Sequence, residues 1–311
     1  MKTTIDIICV GEVLIDLIGH EIANLEHTKD FHRILGGSPT NVAINGARLG
    51  LKTALVATCG NDKLGDYIIE ELQKNKVITT QVKKSYDNST SAILVSRSLN
   101  TPDFIPYREA DKEITEDQIP DELLQKTKIF HTSCFALSKE PARTAILNSA
   151  YKAKSMGLQL SIDLNYSEKI WPNRKEAIQV LSQYLATDPW VKVSEDDCFR
   201  LFEETKSEAF IFDYFHNLGV STICLTKGKN GVNLSDRSDG VFQKEVLPVQ
   251  KIKDATGAGD AFWTGFLFAK LNNKNSEQCL AIAQSIARVK LKNIGQLPED
   301  IDLEMILKET L

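Results

Sequence analysis

Apolar residues follow two rhythms along this chain. Short unbroken apolar runs bounded by glycine or polar clusters predict buried strands, and apolar positions three or four apart predict helices. "IDIICVGEV" predicts a first strand ending at Gly11, and "KTALVATCG" a second. Between them, "GGSPTNVAINGARLG" predicts a glycine turn and then a helix with Val42, Ala43 and Ala47 on its apolar side. "DKLGDYIIEELQKN" predicts a helix with Ile68, Ile69 and Leu72 on one face. "SAILVSRS" and "FIPYREA" are patchier, as expected of a sheet covered on one side only.

From residue 128 the pattern becomes regular. "KIFHTSCFAL", "LQLSIDLN", "WVKVS" and "STICLTKG" predict strands, separated by the helical stretches "EPARTAILNSAYKAKSMG", "RKEAIQVLSQYLA" and "SEAFIFDYFHNLG". "GVNLSDRS" and "GVFQKEVLP" predict a hairpin, and two helices follow from about Gly257 and Ser276. Strands alternating with helices predict an α/β fold, doubly wound, with a mostly parallel central sheet and helices on both faces. No internal repeat or low-complexity linker divides the chain. Residues 1–311 are therefore expected to form one domain carrying a small β-sheet lid, built from segments near 12–35 and 88–111.

Composition narrows the function classes. The net charge of −5 gives nucleic acid or an anionic membrane no attractive field. The six cysteines are far apart without a C-x-x-C pair, so they are expected to be small reduced core residues. The first apolar run is interrupted by Asp6, Glu12 and Asp16, so neither a signal peptide nor a membrane span is expected there. A cytoplasmic setting is expected.

Ligands of a doubly wound sheet sit beyond the carboxyl ends of its strands. The strands deliver Gly11, Glu12 and Asp16, then Asp163 and Asn165, then Lys192, Ser194 and Asp197, then Thr226, Lys227 and Gly228. The last segment delivers "DATGAGDAFWTGF". Gly257, Ala258 and Gly259 leave their amides uncovered at a helix start, where unpaired N–H groups and the positive dipole end receive a phosphate. Asp260 then lies in the first turn, placed to accept a proton from an attacking hydroxyl. An acidic residue at a helix N-terminus is ordinary in itself. The flanking glycines and the apolar helix behind Asp260 are what point to chemistry, because a buried carboxylate needs a specific partner. No G-x-x-x-x-G-K-[ST] occurs, and "GAGDAF" lacks the third glycine of a dinucleotide fingerprint.

The chain resembles the ribokinase-like (PfkB) carbohydrate kinases over essentially its whole length. "DATGAGDAFWTGF" is similar to that family's C-terminal signature and "GGSPTNVAINGARLG" to its N-terminal one, with "GEVLID", "IDLN" and "LTKGKNGV" between them. The pattern is most similar to fructokinases, and next to 2-keto-3-deoxygluconate kinases. The resemblance implies ATP and Mg2+ as cofactors, a small sugar as substrate and a homodimer. It implies Asp260 as catalytic base and Gly257, Ala258 and Gly259 as the anion hole. Asp16, Gly36, Gly37 and Asn41 would hold sugar hydroxyls, with Arg108 reaching in from the lid. Asn165 and Lys192 would line the phosphate path, and Thr226, Gly228 and Gly231 would border the nucleotide. Asp254 and Thr256 match positions that bind a monovalent cation, K+, in some members.

One departure stands out. Many members carry N-x-x-E where this chain has "SEDD", Ser194 to Asp197. Asp197 is one methylene shorter than Glu, so a water-mediated contact to magnesium is expected there. His131 in "IFHTS" is expected to be a satisfied core residue. Two rival functions are a sugar-acid kinase, with Arg108 aimed at a substrate carboxylate, and a non-catalytic sugar- or nucleotide-sensing relative. The intact Asp260 and its glycines oppose the sensor, and the missing fingerprint opposes a nicotinamide oxidoreductase.

Overall fold

The structure is a computed structural model that describes residues 4–97, 103–246, 249 and 252–310. Its strands are β1 (Ile5–Val10), β2 (Leu14–Ile22), β3 (Phe31–Gly36), β4 (Thr53–Gly60), β5 (Ile78–Ser85), β6 (Ala92–Arg97), β7 (Phe104–Tyr107), β8 (Thr127–Ser133), β9 (Gln159–Asp163), β10 (Trp190–Ser194), β11 (Thr222–Thr226), β12 (Val232–Asp236) and β13 (Gly240–Lys244). Its helices are α1 (Ser38–Arg48), α2 (Lys63–Lys74), α3 (Asp121–Leu124), α4 (Ala142–Ser155), α5 (Arg174–Leu185), α6 (Glu195–Phe202), α7 (Glu208–Asn217), α8 (Ala258–Leu271), α9 (Ser276–Leu291) and α10 (Leu303–Thr310).

The large sheet has the order β13-β12-β11-β10-β9-β8-β1-β4-β5. From β5 to β11 its neighbours are parallel, and β12 and β13 close one edge as an antiparallel hairpin. β4 is buried at every position because helices cover both faces. One apolar core gathers residues of α4, α5 and α7 on one face, and a second gathers those of α1, α2, α8 and α9 on the other. The chain leaves β1 toward β4 on one side and returns to β8 on the other. The strand order therefore reverses between β1 and β8, where such sheets open a ligand crevice.

A second sheet has the order β3-β2-β6-β7. β2 pairs antiparallel with β3 and parallel with β6, and β6 pairs antiparallel with β7. Its strands come from the two predicted segments. Several elements lie outside the pattern reading, among them α3, β5 and α10. β5 is an edge strand with no fully buried position, so it lacks the unbroken apolar run of an interior strand. α10 is a short terminal helix that buries Ile306 alone. All six cysteines are free and buried, and burial pushes each thiol pKa upward, away from reactivity.

Helix α8 is buried along its length from Ala261 to Ala269. Trp263 has no exposed surface, stacks on Phe266 with centroids 4.7 Å apart, and donates its indole N–H to Ser161 Oγ at 2.9 Å. This packing fixes the helix that carries Asp260. Trp263→Ala should cost about 3–5 kcal/mol of stability, the range for deleting a large buried aromatic. Urea unfolding of the variant beside the parent checks this, and a loss under about 1 kcal/mol would show that the interior collapses into the space.

Candidate functional site

A cavity of about 300 Å³ opens at the carboxyl ends of the central strands, between the large sheet and the small one. β2 and β6 contribute Leu14, Asp16 and Ile93 to its wall, while the large sheet and its helices contribute Glu12, Asp163, Lys192 and Asp260. A larger depression, about 570 Å³, lies near Thr127 and Gln159 at the opposite, amino ends of β8 and β9. It gathers a single charged side chain, Lys128, and no convergent set of acid, base and anion-binding groups.

Glu12 ties the switch point together. Its Oε1 accepts the Ser38 amide at 3.0 Å, its Oε2 accepts Ser133 Oγ at 2.7 Å, and its carbonyl accepts Thr40 Oγ1 at 3.0 Å. The carboxylate therefore joins the ends of β1 and β8 to the N-terminus of α1, whose dipole favours a negative charge. Burial nevertheless pushes its pKa up to about 8, against the hydrogen bonds from Ser133 and Ser38. Gly37 makes the turn possible: its φ is 104°, and a Cβ there would lie 2.3 Å from the Glu12 carbonyl oxygen. Glu12, Ser38 and Ser133 were not among the predicted site residues, although Glu12 stood at a strand end and Ser38 within the "GGSPTN" motif.

Asp260 lies in the first turn of α8, which starts after Gly257 in the left-handed conformation at φ 73°. Ser38 Oγ donates to its Oδ1 at 2.6 Å, and Asn41 Nδ2 donates to its Oδ2 at 2.9 Å. Beside it, Lys192 Nζ donates to both oxygens of Asp163 at 2.9 Å, a pair set directly opposite across β9 and β10. Burial raises the Asp260 pKa, while Ser38, Lys192, Asn41 and Lys290 hold that rise back. Burial opposes the Lys192 charge, but Asp163, Asp197 and Asp260 outweigh it and raise the Lys192 pKa. A Cβ on Gly259 would lie 2.9 Å from the Lys192 ammonium, so this glycine lets the cation approach the helix start.

Asp16 faces the same cavity from β2. Gly36, at the end of β3, passes close enough that a Cβ would strike the Asp16 carboxylate. Burial and the charges of Asp260 and Asp254 push the Asp16 pKa up to about 7. Asn165 lines the cavity and accepts the Phe135 amide at 3.1 Å. Thr256, Gly257 and Gly259 complete the wall.

Other predicted residues lie differently. Of the three amides expected to receive a phosphate, that of Ala258 is spent on the Ala255 carbonyl at 3.1 Å. Asn41 is engaged on both sides, donating to Asp260 and accepting Gln296 Nε2 at 3.2 Å. Arg108 follows β7, yet its guanidinium is paired with Asp111 at 2.6 Å and lies over the Phe135 ring at 4.1 Å. Asp197 accepts the Ser194 amide in a capping box and pairs with Arg200 at 2.7 Å, so both of its oxygens are occupied. It does not fit a magnesium ligand, and no cluster of three or more His, Cys, Asp or Glu suited to a metal occurs among the described residues. Thr226, Gly228 and Gly231 sit at the end of β11, on the same sheet edge but outside the cavity wall. Asp254 pairs with Lys290 at 2.8 Å. His131 bonds Ser161 Oγ through Nδ1 at 3.0 Å while its Nε2 is without a partner, and burial together with Lys192 pulls its pKa down to about 3. It is a neutral core residue, satisfied on one side only.

The model of the pfkB family carbohydrate kinases matches residues 4–299. The chain is 30% identical over 301 residues to an ATP-dependent 6-phosphofructokinase of Thermoanaerobacterium thermosaccharolyticum, spanning 97% of this chain and 92% of that one. Among solved structures, an uncharacterized sugar kinase from Pyrococcus horikoshii in complex with ATP superposes with a TM-score of 0.85 at 28% identity, covering 98% of this chain and all (100%) of that one. Halothermothrix orenii fructokinase superposes with a TM-score of 0.81 at 31% identity, covering 94% and 100%.

The raised Asp16 pKa has a consequence for stability. Between about pH 4 and about pH 7 the folded protein keeps a proton that the unfolded chain gives up, so stability falls as pH rises through this window. An asparagine side chain cannot ionise. Asp16→Asn should therefore melt higher than the parent near pH 8, by roughly 2–4 °C for each kcal/mol relieved. The gain should vanish near pH 4. Parallel melting curves for the two proteins across this range would mean that Asp16 is not held in its protonated form by the fold.

Proposed function

This chain belongs to the pfkB family of carbohydrate kinases and is a sugar kinase, and we propose that it transfers the γ-phosphoryl group of MgATP to a primary hydroxyl of a small neutral sugar, fructose above others. The observation that carries this reading is Asp260, held by Ser38 and Asn41 at the start of a buried helix and facing the cavity. Phosphoryl transfer needs little covalent help from a protein; positioning and charge stabilisation dominate. Each part of the cavity has a place in that scheme.

Asp16, to which no described side chain donates, would accept sugar hydroxyls and bring the acceptor against Asp260. Asp260 would take the hydroxyl proton as the bond to phosphorus forms. Its raised pKa suits this role, because a base is most effective when its pKa lies near the working pH. The amides of Gly257 and Gly259, at the positive end of α8, would receive the transferred phosphoryl group, with Lys192 alongside. Magnesium enters this scheme with the nucleotide as MgATP. The small sheet, resting over the cavity with Leu14 and Ile93, would exclude the water that otherwise competes as acceptor.

Charge favours a neutral acceptor. Glu12, Asp16, Asp163 and Asp260 all line the cavity, and its one cation among the described residues, Lys192, is already held by Asp163. A sugar acid or sugar phosphate would find no free side-chain cation there. Arg108, the cation expected for a sugar acid, is engaged by Asp111. The homodimer belongs to the same reading, supported by Ile22, Ile105 and Tyr107, exposed on the small sheet. So does a reducing, cytoplasmic setting, supported by six free buried cysteines.

A coupled assay of ADP release tests the substrate. Fructose should give a higher kcat/KM than 2-keto-3-deoxygluconate, fructose 6-phosphate, ribose or adenosine; a charged acceptor at the head of that panel would overturn the neutral-sugar assignment.

Asp260→Asn tests the chemistry. Asparagine is nearly isosteric but a far weaker base, so kcat should fall by roughly 10²–10⁴-fold with the fold and ATP binding kept. If Asp260 only capped α8, turnover would persist and stability would drop by about 1 kcal/mol instead.

A further inference from the structure

Lys290 is buried without exposed surface in the last turn of α9. Its ammonium donates to Asp254 Oδ2 at 2.8 Å, to the Asp254 carbonyl at 3.1 Å and to the Asn293 carbonyl at 3.4 Å. A lysine ammonium has three N–H donors and no acceptor, so three oxygens satisfy it fully. This is a cation's coordination sphere made of one carboxylate and two carbonyls, the ligand chemistry that hard monovalent ions take. The Asp254 carboxylate is engaged further, Oδ1 accepting the Thr256 amide at 2.9 Å and Oδ2 the Gly295 amide at 3.2 Å. The space bounded by Asp254, Thr256, Gly257 and Gly295 holds about 10 Å³, room for at most one water. With the Lys290 ammonium already seated among these oxygens, the residues present do not fit a separate K+ at Asp254 and Thr256.

The sphere sits under the proposed anion hole. A Cβ built on Gly257 would lie 3.9 Å from Lys290 Cε. Asp254 begins the turn that ends at the start of α8, so holding Asp254 holds Gly257 and Gly259. On the other side the network runs through Gly295 to Gln296, whose Nε2 donates to Asn41 Oδ1 at 3.2 Å, and Asn41 donates to Asp260. The Lys290 charge also acts on Asp260 directly, among the groups that hold back its pKa rise.

We propose that the Lys290 ammonium is a built-in cation that stands where a monovalent ion would otherwise bind, and that it positions the 254–257 turn so that turnover needs no K+. Lys290 is a positioning residue in this account, acting through Asp254. The proposal rests on the kinase reading above. The two fail differently: the kinase reading fails if no sugar stimulates ADP release, whereas this proposal fails on the response to ions.

The first measurement uses the parent protein, dialysed into choline chloride and then titrated with KCl at constant ionic strength. Turnover and melting temperature should both stay flat; a saturable rise of either with K+ overturns the proposal whatever the variants do. The second uses Lys290→Met, which keeps the stem without the charge, and Lys290→Ala, which opens the space. In choline, kcat of both should fall by roughly 10²-fold, the scale on which a displacement of about 1 Å at a reacting centre acts. K+ or methylammonium should then restore turnover and raise the melting temperature of Lys290→Ala saturably, while Lys290→Met, its space filled, stays unresponsive. A merely structural lysine predicts variants that lose stability alike and respond to neither ion. That outcome, or full turnover in choline, overturns the proposal.

Discussion

The fold at this edge is organised by the need to hold a half-buried carboxylate, Asp260, at the mouth of a helix with no exposed face. A buried charge costs several kcal/mol unless its surroundings replace the lost water. Here the replacement is assembled from distant parts of the chain. Ser38 and Asn41 reach it from α1, Lys192 from β10 and Lys290 from α9. None of these groups is adjacent to Asp260 in sequence. Three of them have anchors of their own: Ser38 in Glu12, Lys192 in Asp163, Lys290 in Asp254. Displacing one of them disturbs the field at Asp260 even where no bond to it is broken.

This arrangement leaves the cavity with more carboxylates than ammoniums. A neutral polyol gains from that surplus, because carboxylates accept hydrogen bonds from hydroxyls. A polyphosphate does not, and must be received by something other than side-chain charge. In the proposed reading the start of α8 receives it with backbone amides and the positive end of a long buried helix. An acidic cavity thus goes together with a glycine-rich helix N-terminus, and the two are joined at Asp260.

Much of this fold was legible in the sequence because burial on both sheet faces writes itself as unbroken apolar runs. β4 and β11 are of that kind, and they read correctly. β5 was not legible, since an edge strand has no such run. The ends of strands were legible too, so Asp16, Asp163, Asn165 and Lys192 were found where the cavity lies. Pairings over long distances were not: nothing local in "GGSPTN" says that Ser38 and Asn41 lie 222 and 219 residues from the carboxylate they hold. In two places a local signal was present but pointed elsewhere. "SEDD" has the S-x-x-D form of a capping box, which is what Asp197 makes. Asp111 stands three residues after Arg108 and takes its guanidinium.

The position of Lys290 follows from the simplest geometry in the molecule. α8 and α9 are joined by four residues and pack side by side, so the start of one lies beside the end of the other. Two helix termini of opposite polarity meet there. The positive end of α8 is turned to the cavity, and the Asn293 carbonyl, just past the negative end of α9, lies beneath it with the carbonyl and carboxylate of Asp254. Such a concentration of oxygens needs a cation. A diffusing ion fills it only as far as its concentration allows, whereas a lysine on α9 fills it whenever the protein is folded. The tethered charge loses side-chain freedom on burial, up to about 2 kcal/mol. In return the turn before α8 is held by the same packing that buries Trp263 and Phe266, and the geometry at Asp260 becomes a property of the fold rather than of the salt around it.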